Sequence, residues 1–174
     1  MRYYDWIDHH AKMRGDKVAL IDVSNERRVT YREWDERIGR LASYLSGAGI
    51  APGERVATLT SNCMEMLEIQ FACFRIGAIF VPLNTRLTFP ELAYIGSDAG
   101  ISYLIYTTEF DALAKQLVDS LGGKGSLRIG ADYDRAMSQS KKLVDTHVMA
   151  LSDPSTIMYT SGTTGRPKGA TITH

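Results

Sequence analysis

Strand-like and helix-like segments alternate along most of this 174-residue chain, with connections of only a few residues between them. Val56 to Thr60, Ile79 to Leu83, Ile101 to Tyr106 and Leu127 to Ile129 are short β-favouring runs. The segments between them, through Ile76, around Leu92 and Ile95, and from Glu109 to Leu121, read as helices. Ile79 to Leu83 is apolar without a break, as a strand covered on both faces would be. Repeated strand–helix–strand units with short links pack as an open, mostly parallel sheet with helices on both faces. The expected fold class is therefore α/β.

Local signals place the element ends. Tyr4 to Met13 reads as a short amphipathic helix, and Lys17 to Val23 with Arg27 to Thr30 as a hairpin turning at Ser24-Asn25. Thr30-Tyr-Arg-Glu33 is a capping box, in which each end satisfies the other's backbone N–H. The helix it opens carries Trp34, Ile38, Leu41, Ala42 and Leu45 on one stripe and is expected to end near Gly49. Asn62-Cys-Met-Glu65 and Thr88-Phe-Pro-Glu91 are further helix starts, and Gly77 closes the first of these helices. Between Gly130 and Leu151 the pattern weakens: Asp132 to Lys142 reads as a short helix, with Lys141-Lys142 a solvated face.

Charge and composition narrow the function classes. Twenty basic residues balance twenty acidic ones, which argues against a coat for nucleic acid or anionic membrane. No apolar run approaches the roughly 20 residues of a membrane-spanning helix, and the charged start lacks a signal-peptide core. Cys63 and Cys73 fall on one predicted helix, roughly 15 Å apart at about 1.5 Å per residue, too far for a disulfide. They read as small buried hydrophobes, and a cytoplasmic protein is expected. His9 and His10 read as solvated, His147 lacks a metal-ligand neighbourhood, and Met64, Met66, Phe71 and Phe74 read as core packing.

The chemistry is concentrated near the end. A β-favouring run, Thr156 to Thr160, feeds Ser161-Gly162-Thr163-Thr164-Gly165-Arg166-Pro167-Lys168-Gly169. Glycines let backbone N–H groups approach an anion closely, hydroxyls add donors, and a lysine adds a mobile positive charge. Such a set suits polyphosphate. It is not a Walker A loop, because Pro167 occupies the second required glycine position counted from Gly162. Nor is it a hydrolase elbow, since Tyr159 and Thr163 stand where glycines would flank Ser161. The residues after it, Ala170 to Thr173, read as a strand, so no helix dipole would assist. On composition alone, a flexible Gly/Thr hairpin without a ligand stays open.

Tyr159 to Gly169, YTSGTTGRPKG, resembles without a break the phosphate-binding signature of the adenylate-forming (AMP-binding) enzymes, which include the acyl-CoA synthetases. Phe74 to Asn84 resembles the family's first core motif, and Val29 to Glu33 its opening segment, so the resemblance covers nearly the whole chain. It implies a two-step ligation: a carboxylic acid and ATP give an acyl-adenylate and pyrophosphate, and coenzyme A then takes the acyl group. Carried over by position, Thr160, Ser161, Gly162, Thr163, Thr164, Gly165 and Lys168 would hold the β- and γ-phosphates, with Mg²⁺ sharing the charge. Arg166 falls at a variable position and is expected to face solvent. Ile79 to Asn84 is expected to be scaffold, and His174 to serve local structure rather than the substrate.

Family members are several times longer. Their adenine and ribose contacts, the acidic residue for Mg²⁺, most of the acid pocket and the catalytic lysine of the C-terminal lid domain all follow this loop. Residues 1–174 therefore correspond to the N-terminal portion of the large adenylation domain, expected to be inactive alone. The expected parent is an acid–thiol ligase, a fatty acid or other carboxylic acid:CoA ligase. Its partners would be that acid and CoA, with no nucleic acid and no membrane span. Exposed apolar surface would let the isolated piece self-associate. A peptide-synthetase-type adenylation domain and a non-catalytic, stand-alone nucleotide-binding module are the alternatives.

Overall fold

The computed structural model describes residues 4–23, 25–143, 146–160 and 166–174. Helix α1 (Trp6–Arg14) is capped by the Asp5 carboxylate, which accepts from the Ile7 and Asp8 N–H groups at 3.0 Å each. Strands β1 (Val18–Asp22) and β2 (Arg27–Thr30) form the expected antiparallel hairpin. Then follow α2 (Tyr31–Gly47), β3 (Arg55–Leu59), α3 (Met64–Ile76), β4 (Ile79–Pro82), α4 (Phe89–Ala99) and β5 (Ile101–Tyr106). A 3₁₀ turn at Thr108–Phe110 leads into α5 (Asp111–Leu121), β6 (Gly125–Arg128), α6 (Ala131–Gln139), β7 (Pro154–Thr160) and β8 (Lys168–Thr173).

Six strands form one sheet in the order β6-β5-β3-β4-β7-β8, parallel throughout except for the antiparallel pair β7–β8. Alternating side chains divide the core. Val56, Phe80, Tyr103, Ile105 and Leu127 meet α2, α3 and α6 on one face. Ala57, Val81, Ile101 and Leu104 meet α4 and α5 on the other. The expected α/β sheet with helices on both faces is the observed one, and the α2 stripe from Trp34 to Leu45 is buried throughout.

Several details differ from the sequence reading. The N-cap residue of α3 is Cys63 rather than Asn62, and it makes no side-chain cap hydrogen bond. Lys142 is not part of a solvated face: its ammonium pairs with the carboxylate of Asp35, which is 4% exposed. Cys73 is fully buried, which pushes its thiol far up, whereas Cys63 is only half-buried. His9 and His10 are half-buried among aromatic rings, His10 lying 5.0 Å from Tyr31, rather than solvated.

Both capping boxes form. Glu33 accepts from Thr30 N–H at 2.8 Å and Oγ1 at 2.9 Å; Glu91 accepts from the same groups of Thr88 at 2.7 Å each. These hydrogen bonds favour the ionised form and hold both carboxyls below their ordinary value. A depressed folded-state pKa adds stability above the unfolded value, about 4.3, and that stability is lost as pH falls through the folded value. Glutamine keeps the box without titrating. The double variant Glu33→Gln/Glu91→Gln should therefore lose less melting temperature than the parent between about pH 5 and pH 3. Identical losses in the two proteins would assign the acid sensitivity to other carboxylates.

Candidate functional site

Two β-strands carry the candidate loop. In the β7–β8 hairpin, Thr160 is the register partner of Lys168 and Tyr159 that of Gly169. Thr160 and Lys168 therefore face each other across the mouth of the loop, both exposed. Ser161, Gly162, Thr163, Thr164 and Gly165 lie outside the described residues. The segment after the loop is the strand expected from Ala170 to Thr173, begun two residues earlier at Lys168.

Beside the hairpin lies a cleft of about 370 Å³, bounded by Asn84, Leu87 and Glu91 on one side and by Tyr159, Thr160 and Arg166 on the other. Leu83, in the segment expected to be scaffold, is buried in the core, while Asn84 reaches the cleft wall. Arg166 is exposed, as expected, but it is not simply solvated: its guanidinium carbon lies 5.7 Å from the centre of the Tyr94 ring. Tyr159 donates its hydroxyl hydrogen bond to Asp98 Oδ2 at 2.6 Å. Burial, and then the Asp98 carboxylate, push the Tyr159 phenol well above its ordinary value. Neither Tyr94 nor Asp98 was singled out from the sequence. Their partners lie far along the chain, 61 residues away in the case of Asp98, and no local spacing reveals such a contact.

On the opposite side of the hairpin, an apolar groove of about 450 Å³ is bounded by Trp6, Phe71, Phe74, Met158 and Ile172. Met64 and Phe74 are core residues as expected, with Met66 and Phe71 packed against that core and partly open to the groove. The His174 ring stands edge-on to Phe74 at 4.7 Å, and burial lowers its pKa against the opposing pull of Asp153. The backbone N–H of His174 donates to the Asp153 carbonyl at 3.3 Å. His174 thus helps fasten the end of β8 to α3. Among the described residues no helix is long and apolar enough to cross a membrane, and no three His, Cys, Asp or Glu side chains gather as a metal-ligand set.

Solved structures share this arrangement of elements. A fatty acyl CoA synthetase of Mycobacterium tuberculosis superposes with a TM-score of 0.87 at 28% identity, over 97% of this chain and 34% of its own. MatB of Rhodopseudomonas palustris, solved with ATP bound, gives 0.83 at 28% identity, over 97% of this chain and 35% of its own. The fold is that of the adenylate-forming enzymes. The AMP-binding enzyme family matches residues 7–174, and the chain belongs to that family. A feruloyl-CoA synthase of an Amycolatopsis species is 44% identical over 147 residues, 84% of this chain. The chain spans 28% of the length of that relative.

Proposed function

We propose that residues 1–174 form the N-terminal part of the adenylation domain of an ATP-dependent carboxylic acid:CoA ligase, and that the β7–β8 hairpin is its phosphate-binding element. The observation that carries this reading is the placement of Thr160 opposite Lys168 at the mouth of a glycine- and hydroxyl-rich loop. In the parent's first step a carboxylate oxygen attacks the α-phosphorus of ATP, and the bond from that phosphorus to the bridging oxygen breaks. Pyrophosphate leaves with the bond's electrons. Lys168, the hydroxyls of Thr160, Ser161, Thr163 and Thr164, and the amides around Gly162 and Gly165 would hold the β- and γ-phosphates as that charge develops. In the second step the CoA thiol displaces AMP from the acyl-adenylate.

The described residues do not supply a cage for a resident metal. Mg²⁺ would arrive with ATP as the MgATP substrate, and the acidic residue that the family resemblance implies for it falls after the loop. The relatives' names, feruloyl-CoA synthase and fatty acyl CoA synthetase, support CoA as the acceptor but differ in the acid. Our reading is a fatty acid or other carboxylic acid as substrate, in a cytoplasmic enzyme. The isolated chain should be inactive in ligation, because the catalytic lysine and adenine contacts that the family resemblance implies fall in the part it does not contain.

Titrating pyrophosphate into the purified chain tests the central claim. Lys168→Ala should weaken binding by at least about tenfold, since a charge-assisted contact to phosphate is lost. Equal affinities in the two proteins would remove the phosphate reading. An ATP–pyrophosphate exchange signal above the Lys168→Ala control would overturn the expected inactivity.

A further inference from the structure

Helix α4 makes contacts with both legs of the hairpin. Tyr94 and Asp98 are four residues apart, hence on one face of the helix. Tyr159, on the strand entering the loop, donates to Asp98 at 2.6 Å; Arg166, on the segment leaving it, lies over Tyr94 at 5.7 Å, within cation–π range. We propose that α4 is the mount of the phosphate-binding hairpin, with Asp98 and Tyr94 as positioning residues for the strand that enters the loop and the segment that leaves it. The positioning role rests on the phosphate reading given above.

Three further observations support it. The register between β7 and β4 is a single pair, Thr156 with Phe80, so Ile157 to Thr160 run on with β8 as their paired strand. Every residue of β8 is exposed, so that strand brings little packing of its own. Ile157 and Tyr159 pack against the core on the α4 side, and α4 is itself anchored through buried Leu92, Ile95 and Ala99.

Asp98 is also badly placed for the helix that carries it. It stands one residue before the C-terminus of α4, where the macrodipole disfavours a negative charge. A partner outside the helix explains its presence, and Tyr159 is that partner. Gly169 completes the arrangement. A Cβ there would come within 2.9 Å of Ile157 Cγ2 and 3.0 Å of Tyr159 Cζ, so glycine leaves the Tyr159 ring the space from which it reaches Asp98. The first and last residues of YTSGTTGRPKG are thus one cross-strand pair, fitted to each other and to α4.

Amide hydrogen exchange on the ligand-free 174-residue chain reads the mount directly, with pyrophosphate affinity as the second measurement. Asp98→Ala and Tyr159→Phe should each speed exchange across β7 and β8 next to the loop by at least about fivefold, leaving α4 and α5 unchanged. The double variant should be no faster than either single one, because both remove the same bond. Asp98→Asn, which keeps an acceptor for the Tyr159 hydroxyl, should restore most of the protection. Exchange that stays at the parent level, or that rises throughout α4 and α5, would overturn the mount. Failure of pyrophosphate to bind the parent chain would sink the phosphate reading and the positioning role with it. Lys168-dependent binding that Asp98→Ala leaves untouched would sink the positioning role alone.

Discussion

Replacing Glu68 by alanine is expected to lower the unfolding free energy by about 3 kcal/mol, at the lower end of what breaking a buried ion pair costs. Glu68 is 0% exposed on the inner face of α3. Arg37 of α2 donates to it twice, from Nε at 2.5 Å and Nη2 at 3.0 Å, and Tyr133 of α6 donates its hydroxyl at 2.8 Å. One carboxylate therefore joins the three helices that cover one face of the sheet. Removing it strands a buried phenol and a half-buried guanidinium, whose desolvation is then uncompensated. For a chain of this length the melting temperature should drop by about 10 °C at about 2–4 °C per kcal/mol. Tyr133→Phe, which removes one donor and leaves the ion pair intact, should cost only about 1 kcal/mol. The double variant Arg37→Met/Glu68→Leu should recover most of the loss, because an apolar replacement of both partners leaves no stranded charge. If Glu68→Ala were no worse than Tyr133→Phe, the ion pair would contribute nothing measurable and Glu68 would act only as an acceptor for Tyr133.

What the sequence made legible was whatever depends on neighbours within about one helical turn or along one strand. Thr30 with Glu33 and Thr88 with Glu91 could be read as caps because both partners sit three residues apart. The α2 stripe could be read from its spacing, and the parallel sheet from the succession of short apolar runs. The ion pairs inside the helical layer could not. Glu68 and Arg75 look like ordinary polar positions of an amphipathic helix, and only the packing of α2 on α3 brings Arg37 and Asp35 to them, 31 and 40 residues away. Lys142 reads as solvated from its neighbours for the same reason: its partner Asp35 is 107 residues earlier. The candidate site divides in the same way. The residue types of Thr160 to Lys168 suit an anion without requiring one, and the phosphate reading comes from the family resemblance. The contacts of Tyr159 and Arg166 with α4, and the reason for glycine at 169, emerge only when α4 and the hairpin are side by side.

The other large effect is expected at Arg75, which is 3% exposed near the end of α3 and holds three groups at once. Its Nε donates to Asp5 Oδ2 at 2.8 Å, its Nη1 to the Asp35 carbonyl at 3.0 Å and its Nη2 to Asp35 Oδ1 at 2.5 Å. The Asp5 end reaches the cap of α1, and Asp35 also receives Lys142 from the segment that leads toward β7. The Arg75 carbonyl accepts from the His147 N–H at 2.8 Å on the same connection. Arg75→Met fills a similar volume but leaves a buried Asp35 carboxylate with Lys142 as its remaining charged partner. A loss of about 3–4 kcal/mol follows, the scale for removing one member of a buried ion pair. Arg75→Lys should fall between the parent and Arg75→Met, since an ammonium restores charge without the planar fork that serves three acceptors. Asp5→Asn should cost about 1 kcal/mol, because asparagine still caps α1 and the Arg75 contacts to Asp35 persist. Urea denaturation of the three variants gives the order directly: Arg75→Met most destabilised, Arg75→Lys next, Asp5→Asn least. An Arg75→Lys variant as stable as the parent would show that positive charge alone is needed at this position.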